Sequence, residues 1–327
     1  MLKYVYLQEI GRLRSVWNQV LLEEIIAPTY ATLLLHASQI FGFSENFLKL
    51  WPSMKNISSP WDCVVKYFYT NIVYMPLFYS NVNNGGWFKL NQVLILDPSV
   101  LNYTQLHSIL LKEGLPIASI SESILHSLSK LGHSANYLNA PTLREKLLQP
   151  GPHPHVKSIE DTEILLWYFL KEFSQELDKL NGLQLLPLWN GQVEKFTANG
   201  QNYFLVKSKD DLDIFYRAKH LIVRPDLPSE LSTLIHSLVN IEKVTNLKFM
   251  NFQHFVTSVL PCMLPIKNSV EDVQWNNIPG VTKDWLVNVW KYIFKHCKDP
   301  NELLGLPLIP TKDGFLVKAN KESKTIR

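Results

Sequence analysis

A short phrase of apolar residues, proline and a glycine turn occurs twice in this chain at a fixed distance, and this limits the folds open to the chain. Residues 183–191 read Leu-Gln-Leu-Leu-Pro-Leu-Trp-Asn-Gly, and residues 306–314 read Leu-Pro-Leu-Ile-Pro-Thr-Lys-Asp-Gly. The phrases are 123 positions apart, as are Trp167 and Trp290 in the apolar segments that precede them. Self-similarity at a fixed spacing is typical of tandem supersecondary units. The sequence therefore predicts a repeat architecture.

Each phrase has the local chemistry of a strand that runs into a tight turn. The apolar run around Pro187 is short, and a proline cannot donate to a β-ladder, so it is typical of the edge or the end of a strand. Asn190-Gly191 supplies the positive φ that a hairpin turn needs, and Asp313-Gly314 repeats this pair. Both phrases therefore predict β-hairpins.

A third, looser copy lies earlier in the chain. An apolar helical segment at 64–69 precedes a short strand-like run and the turn Asn-Asn-Gly-Gly at 83–86. In this copy Pro76 is the counterpart expected for Pro187, 111 positions later. The first copy is therefore expected to carry a hairpin of the same kind.

The segments after the first two hairpins follow one order of strand, helix, strand, helix and short helix. In the first copy we expect strands at 93–96 and 115–118, and helices at 103–112, 121–128 and 142–150. In the second copy we expect strands at 203–206 and 221–223, and helices at 210–216, 229–238 and 252–261. Aromatic-rich helices at 164–177, with Trp167 and Phe173, and at 285–296, with Trp290 and Phe294, precede the second and third hairpins.

The chain begins differently. Apolar stripes predict helices over 13–26 and 29–40, with Pro28 interrupting them. The Pro-Gly-Pro-His-Pro-His stretch at 150–158 is the clearest loop, and 319–327 is a polar end. The resulting fold class is α+β, built of tandem units of helices, short hairpins and strands. The expected divisions are a helical segment at 1–59, α/β units at 60–157 and 158–284, and a truncated third unit at 285–327.

Composition excludes several classes of protein. Hydrophobic residues make up 46% of the chain and charged residues 19%, which argues against disorder. The net charge is +3 with no long run of one sign, so nucleic acid is not an expected partner. No uninterrupted apolar run approaches the roughly 20 residues of a membrane span. Three scattered cysteines and the lack of a signal-peptide pattern predict a reducing, cytoplasmic location.

Residues that could carry chemistry form no convincing catalytic set. His153 and His155 could ligate a metal, but no further ligand follows at zinc-site spacing, so a solvated loop is favoured. His296 is expected to cap the negative end of a helix rather than to activate Cys297. Cys63 and Cys262, together with most of the nine tryptophans, are expected in the core. The sequence therefore predicts no catalytic, cofactor-binding or metal-binding residue and no enzyme activity.

Three stretches resemble the large repeats of the sacsin family. They are Val-Trp-Asn-Gln-Val-Leu-Leu-Glu-Glu-Ile-Ile-Ala-Pro-Thr-Tyr at 16–30 and the two hairpin phrases that end at Gly191 and Gly314. The resemblance covers roughly residues 12–318. In that family each large repeat is implied to begin with an ATP-binding module resembling the N-terminal domain of the ninety-kilodalton heat-shock chaperone. This chain resembles the α/β remainder, because it lacks that module's acidic, asparagine-bearing helix and its glycine-rich phosphate loops.

The resemblance implies a non-enzymatic chaperone or co-chaperone scaffold in protein quality control, with unfolded client proteins and other chaperones as partners. The alternative is the regulatory or middle region of an ATPase of the heat-shock chaperone superfamily whose ATP-binding module lies outside this chain. Strand edges beside the prolines could accept an extended client peptide. They could equally be covered by neighbouring repeats, and the sequence leaves both readings open.

Overall fold

In the computed structural model the chain forms two compact units, Met1–His155 and Val156–Arg327. The structure describes residues 16–55, 57–59, 61–149, 158–173, 177–240, 246–264 and 273–318. Helices and small sheets alternate in both units, which confirms the α+β class. The predicted divisions after residues 59 and 284 stay predictions, and the polar end at 319–327 lies outside the described residues.

The elements of the first unit follow the predicted order. Its helices are α1 (Val16–Phe41), α2 (Glu45–Leu48), α3 (Trp61–Ile72), α4 (Tyr103–Lys112), α5 (Glu122–Lys130) and α6 (Ala140–Leu148). Its strands are β1 (Phe78–Ser80) and β2 (Gly86–Phe88), and short 3₁₀ turns span Val82–Asn84 and Leu90–Gln92.

The second unit repeats this order and adds a further helix and hairpin. Its helices are α7 (Ile159–Glu172), α8 (Leu212–Phe215), α9 (Ser229–Asn240), α10 (Phe252–His254), α11 (Leu260–Met263) and α12 (Lys283–His296). Its strands are β3 (Gln184–Pro187), β4 (Val193–Lys195), β5 (Tyr203–Leu205), β6 (Leu247–Phe249), β7 (Val273–Gln274), β8 (Pro307–Pro310) and β9 (Phe315–Lys318). Short 3₁₀ turns span Leu177–Leu180, Lys209–Asp211, Tyr216–Ala218, Trp275–Asn277 and Pro300–Leu303, and a π-helical turn at Phe255–Val259 joins α10 to α11.

Helix α1 corrects the prediction that Pro28 separates two helices. The stretch Leu21–Ile26 is π-helical, and the Ala27 N–H donates to the carbonyl of Leu22, five residues earlier. A proline has no N–H for the α-helical bond to the residue four earlier, and the π turn shifts the bonding pattern just before that position. The helix therefore continues through Pro28. Pro261 likewise lies inside α11 rather than at a helix end.

Each helix preceding the second and third hairpins starts earlier than its apolar pattern suggests, because a side chain caps it. The Ser158 hydroxyl accepts from the N–H of Asp161 at 3.0 Å, and α7 begins at Ile159. The Thr282 hydroxyl accepts from the N–H of Trp285 at 3.1 Å, so α12 begins at Lys283. Such caps satisfy backbone donors that would otherwise be unpaired at a helix start.

In the first unit, single bridges extend the β1–β2 hairpin into a mixed sheet. Strand β1 pairs antiparallel with β2 on one side, and Ser80 pairs antiparallel with Ala118 on the other. Ile117 then pairs in parallel with Leu94, and Ile95 pairs in parallel with Tyr137. The order across the sheet is β2, β1, 117–118, 94–95 and 137.

The second unit builds the same sheet from the corresponding segments. Strand β3 pairs antiparallel with β4, and Leu188 pairs antiparallel with Val223. Ile222 pairs in parallel with Phe204 of β5, and β5 pairs in parallel with β6. The order is β4, β3, 222–223, β5 and β6. The sequence repeat is therefore a repeat of topology.

The third hairpin matches the second residue for residue. Strand β3 pairs with β4 as Gln184 with Lys195, Leu186 with Glu194 and Pro187 with Val193. Strand β8 pairs with β9 as Pro307 with Lys318, Ile309 with Val317 and Pro310 with Leu316. Every position is offset by 123, and both hairpins have a register shift after their first pair.

The turns of these hairpins confirm the predicted glycine chemistry. Gly191 has a φ of +88° and Gly314 a φ of +85°. The N–H of Gly191 donates to the carbonyl of Leu188 at 3.1 Å, and the N–H of Gly314 donates to that of Thr311 at 3.2 Å. The two turns therefore have the same hydrogen bond at the same offset.

In the first hairpin the residue that corresponds to Pro187 in the structure differs from the one that the sequence comparison predicted. The N–H of Ser119 donates to the carbonyl of Tyr79, as the N–H of Arg224 donates to that of Pro187. Tyr79, and not Pro76, is therefore the structural counterpart of Pro187. A proline is not required at this position, since only its carbonyl takes part in the pairing.

Candidate functional site

The copies differ at one edge of the first strand of each hairpin, the edge that faces away from the second strand. In the second copy the N–H of Trp189 donates to the carbonyl of Ile222 at 2.9 Å, and the N–H of Arg224 donates to the carbonyl of Pro187 at 3.1 Å. These two bonds attach segment 222–224 to the edge of β3. Pro187 and Leu188 are consequently buried. The edge of β3 is therefore covered from within its own copy.

In the third copy no strand within the described ranges pairs with the corresponding edge. Strand β8 lies at the edge of a three-stranded sheet in the order β7, β9, β8. Pro310 is the counterpart of Pro187 but is exposed, and Thr311, the counterpart of Leu188, is half-buried. Within the described ranges, β8 therefore pairs on one side only. Its equivalents in the other two copies, β1 and β3, are paired on both sides.

A tryptophan side chain takes one of the main-chain acceptors of β8. The indole N–H of Trp290 donates to the carbonyl of Leu308 at 2.9 Å. Leu308 and Leu316 are 2% and 0% exposed and belong to the core of the second unit. Pro310 and Lys312, which follow Leu308 along the chain, are exposed.

A separate cavity of about 490 Å³ opens in the second unit. Apolar walls, including Phe215 and Tyr292, meet a polar cluster around Asp211. The Asp211 carboxylate lies 3.4 Å from the Lys295 ammonium nitrogen and 3.8 Å from Nε2 of His296. Burial, followed by the charge of Asp211, raises the pKa of Tyr292 above its ordinary range. The cavity is large enough for a small polar molecule, but its lining does not indicate a particular ligand.

His296 and Cys297 do not form a catalytic pair. His296 ends α12, as expected for a residue that favours the negative helix end, and its ring packs on Tyr292 at 4.4 Å between centroids. The Cys297 thiol instead donates to the carbonyl of Asp299 at 3.3 Å. Burial, with the charge of Glu302, raises the pKa of this thiol, so the reactive thiolate is disfavoured.

The remaining cysteines and histidines give no metal site. Within the described ranges there is no group of three or more His, Cys, Asp or Glu residues able to hold a metal ion. His153 and His155 lie outside the described residues. Cys63 packs half-buried against the core of the first unit, but Cys262 is exposed, so its predicted core position is wrong. The Cys262 thiol donates to the carbonyl of Ser258 at 3.2 Å, which satisfies it without burial.

The tryptophans are less buried than the sequence suggests. Trp51 and Trp285 are 8% and 9% exposed and lie in the two cores, whereas Trp17 and Trp61 are more than half exposed. The other five are half-buried: Trp87, Trp167, Trp189, Trp275 and Trp290. Phe294, which lies in the same aromatic-rich helix as Trp290, is 78% exposed. Large indoles are commonly buried on one side only, because they bridge the core and the surface.

Helix α1 is, by length and composition alone, capable of crossing a membrane, and it is the one such helix in the part of the chain that was described. The sequence prediction did not anticipate this, because it treated Pro28 as a break. The stripe Ala27, Ala31 and Leu34 is buried in the protein core of the first unit, while Leu33 and Ile40 are exposed. A core helix passes the same test of length and composition, so α1 is weak evidence for a membrane.

The geometry defines a class of protein: a tandem α+β repeat in which a helix leads into a hairpin that later segments of the same copy extend into a mixed sheet. The chain is similar to sacsin of Homo sapiens, with 24% identity over 331 residues. The match covers 90% of this chain and 7% of the length of sacsin. No family model matches the chain, and no solved structure matches it. The chain is therefore a distant sacsin-like region, as its hairpin phrases suggested.

Proposed function

We propose that this sacsin-like region is a non-enzymatic scaffold that holds unfolded proteins, as a chaperone or co-chaperone in cytoplasmic protein quality control. The observation that carries the proposal is the edge of β8, with which no strand in the described part of the chain pairs. Exposed strand edges bind other chains by main-chain hydrogen bonding, and unfolded clients are rich in segments able to provide it. The resemblance to sacsin supports the same role, and the three unpaired cysteines fit a reducing compartment.

We expect the chain to slow the aggregation of an unfolded client in the absence of nucleotide. The physical reason is that a passive edge binds without an energy source. The measurement is light scattering of a heat-denatured reporter enzyme with and without an equimolar amount of the chain. Gel filtration of the chain alone shows whether its binding surface is occupied by another copy. Unchanged scattering with a monomeric chain contradicts the proposal.

The proposed scaffold has no nucleotide chemistry of its own, so we expect no binding of ATP with magnesium by titration calorimetry. The reason is that the sequence contains no glycine-rich phosphate loop after a strand, and the glycine turns at Gly191 and Gly314 close hairpins. Saturable binding at micromolar concentration, abolished by one substitution in a glycine-containing turn, would show that the chain carries a nucleotide site after all.

A further inference from the structure

The chain contains four asparagine–glycine pairs, and each could undergo the same spontaneous covalent reaction. They are Asn84-Gly85, Asn181-Gly182, Asn190-Gly191 and Asn199-Gly200. The backbone nitrogen of the glycine can attack the side-chain amide carbon of the asparagine, because the two groups are joined by only a few bonds. A glycine has no side chain to hinder the approach. The attack requires the glycine N–H to lose its proton, so a hydrogen bond donated by that N–H opposes the reaction.

Three of the four glycines have this N–H held in a hydrogen bond. The N–H of Gly85 donates to the carbonyl of Val82 at 3.0 Å. The N–H of Gly182 donates to the carbonyl of Phe196 at 2.7 Å, and that of Gly191 closes its hairpin turn. Each bond has to open before the nitrogen can attack, so the folded structure protects these three pairs.

The fourth pair, Asn199-Gly200, lies between β4 and β5 and lacks this protection. Both residues are exposed. Within the described ranges, neither the N–H of Gly200 nor the side chain of Asn199 makes a hydrogen bond. The side chain of Asn190 differs, because its Oδ1 accepts from the N–H of Gln192 at 3.1 Å. Asn199-Gly200 is therefore the pair in which both reacting groups can move together.

A neighbouring hydroxyl favours the reaction at this pair. The Thr197 hydroxyl oxygen accepts from the N–H of Asn199 at 3.0 Å, and the hydroxyl donates to the carbonyl of Asn199. Thr197 is positioned by Asn246, which is 2% exposed and whose Oδ1 accepts from the Thr197 N–H at 3.2 Å. When the Gly200 N–H loses its proton, the negative charge spreads onto the Asn199 carbonyl oxygen, because both belong to one peptide group. A donor already placed at that oxygen stabilises the charge.

We propose that Asn199 is a site of spontaneous deamidation, promoted by the Thr197 hydroxyl, and that it reacts before the other three asparagines. The Gly200 nitrogen gives its proton to a solvent base and bonds to Cγ of Asn199, and the bond from Cγ to the side-chain nitrogen breaks. That nitrogen takes a proton from water and leaves as ammonia, so a cyclic succinimide remains. Water then opens the ring at either carbonyl carbon and gives aspartate or isoaspartate. Water is the co-reactant, and nothing is oxidised or reduced.

The product changes an exposed turn and leaves the core in place. Deamidation adds a negative charge at residue 199, and the isoaspartate form also routes the backbone through the former side chain. Phe196 and Tyr203, on either side of the turn, are 0% and 8% exposed and hold its ends in the core. We therefore expect the chain to stay folded while the product accumulates. This inference does not depend on the proposed scaffold function.

The experiment follows all four pairs in one sample. The full chain is incubated at neutral pH, digested with trypsin under mildly acidic conditions and analysed by tandem mass spectrometry. Peptide 196–207 carries Asn199, peptide 180–195 carries two of the other pairs, and peptide 67–89 carries the fourth. We expect Asn199 to deamidate at least about fivefold faster than each of the others, because no backbone bond has to open there.

The same chain in guanidinium chloride is the matched control. Without the folded structure the four rates should agree within about threefold, since the local sequence of each reacting pair is the same. Isoaspartate is detected separately, by methyl transfer from labelled S-adenosylmethionine with an isoaspartyl methyltransferase. We expect the label in peptide 196–207, because the succinimide opens at both carbonyl carbons.

Two variants test the hydroxyl. Thr197→Val removes it with little change in shape, and we expect deamidation at Asn199 to slow by about threefold or more. Thr197→Ser keeps the donor and should react within about twofold of the parent chain. In guanidinium chloride the parent and both variants should react alike, because the hydroxyl is then no longer held at the carbonyl.

A folded chain in which another pair reacts as fast as Asn199 overturns the proposed site, whether or not the variants fold. Aspartate without isoaspartate in peptide 196–207 overturns the succinimide route, since it indicates direct hydrolysis of the side-chain amide. An unchanged or faster rate in folded Thr197→Val overturns the role of the hydroxyl.

Discussion

Replacing Trp285 by alanine is expected to lower the free energy of unfolding of the second unit by about 3–5 kcal/mol, the range for truncating a large buried aromatic side chain. Trp285 is 9% exposed in the core of that unit. Its indole N–H donates to the carbonyl of Ile214 at 3.1 Å, across 71 positions of sequence. The substitution therefore leaves both a cavity and a buried carbonyl without its donor.

The measurement is urea unfolding followed by far-ultraviolet circular dichroism, which does not depend on the tryptophan that is removed. Phe294→Ala, on the same helix α12, is the matched control, because Phe294 is 78% exposed. We expect this control to change stability by no more than about 0.5 kcal/mol. Trp285→Phe should fall between them, because it retains most of the packing and loses the hydrogen bond. Equal costs for Trp285→Ala and Phe294→Ala would falsify the assignment of Trp285 to the core.

Gly85→Ala is expected to destabilise the first unit by about 2–4 kcal/mol, from backbone strain and overpacking together. Gly85 lies in the turn between β1 and β2 with a φ of +91°, where a side chain is strained. An added Cβ would also overlap the phenol oxygen of Tyr79 and lie 3.0 Å from its ring carbon Cζ. The Tyr79 ring is stacked on Phe43 at 4.6 Å between centroids and contacts Trp87, so its displacement disturbs other packing.

Gly132→Ala separates the two contributions within the same unit. Gly132 has a φ of +76°, but nothing lies within 4 Å of the position of its added Cβ. We expect this variant to lose about 1–2 kcal/mol, from backbone strain alone. Thermal melts of both variants provide the comparison. Similar losses would show that the Tyr79 ring yields freely and that overpacking contributes nothing at Gly85.

The hairpins were predictable because their signals are local. Asn-Gly and Asp-Gly pairs define a turn within a few residues, and the 123-residue spacing then identifies the same turn twice. The helix predicted at about 103–112 is found at Tyr103–Lys112. The cap residues Ser158 and Thr282 explain why two other helices begin before their apolar stripes.

The parts that escaped prediction depend on contacts between distant residues. Nothing near Pro28 in the sequence indicates the π-helical turn that lets the helix continue past this proline. Trp285 is buried and Phe294 is not, because only one face of α12 meets the core. The candidate site was foreseen only as a choice between open and covered strand edges. The bridge between Leu188 and Val223 shows that the edge of β3 is covered. No local sequence pattern connects these two residues.

The pairing of each hairpin with a later segment has a consequence for the order in which the protein is made. Ala118 follows its partner Ser80 by 38 residues, and Val223 follows Leu188 by 35. At the roughly 5–20 residues per second of protein synthesis, about 2–8 s pass between the synthesis of Ser80 or Leu188 and that of the residue that covers it. During that interval the strand edge that the later segment will cover, on β1 or on β3, is unpaired. A nascent chain of this architecture therefore presents a succession of temporary docking strands, and slow codons between a hairpin and its covering strand would lengthen the exposure of each.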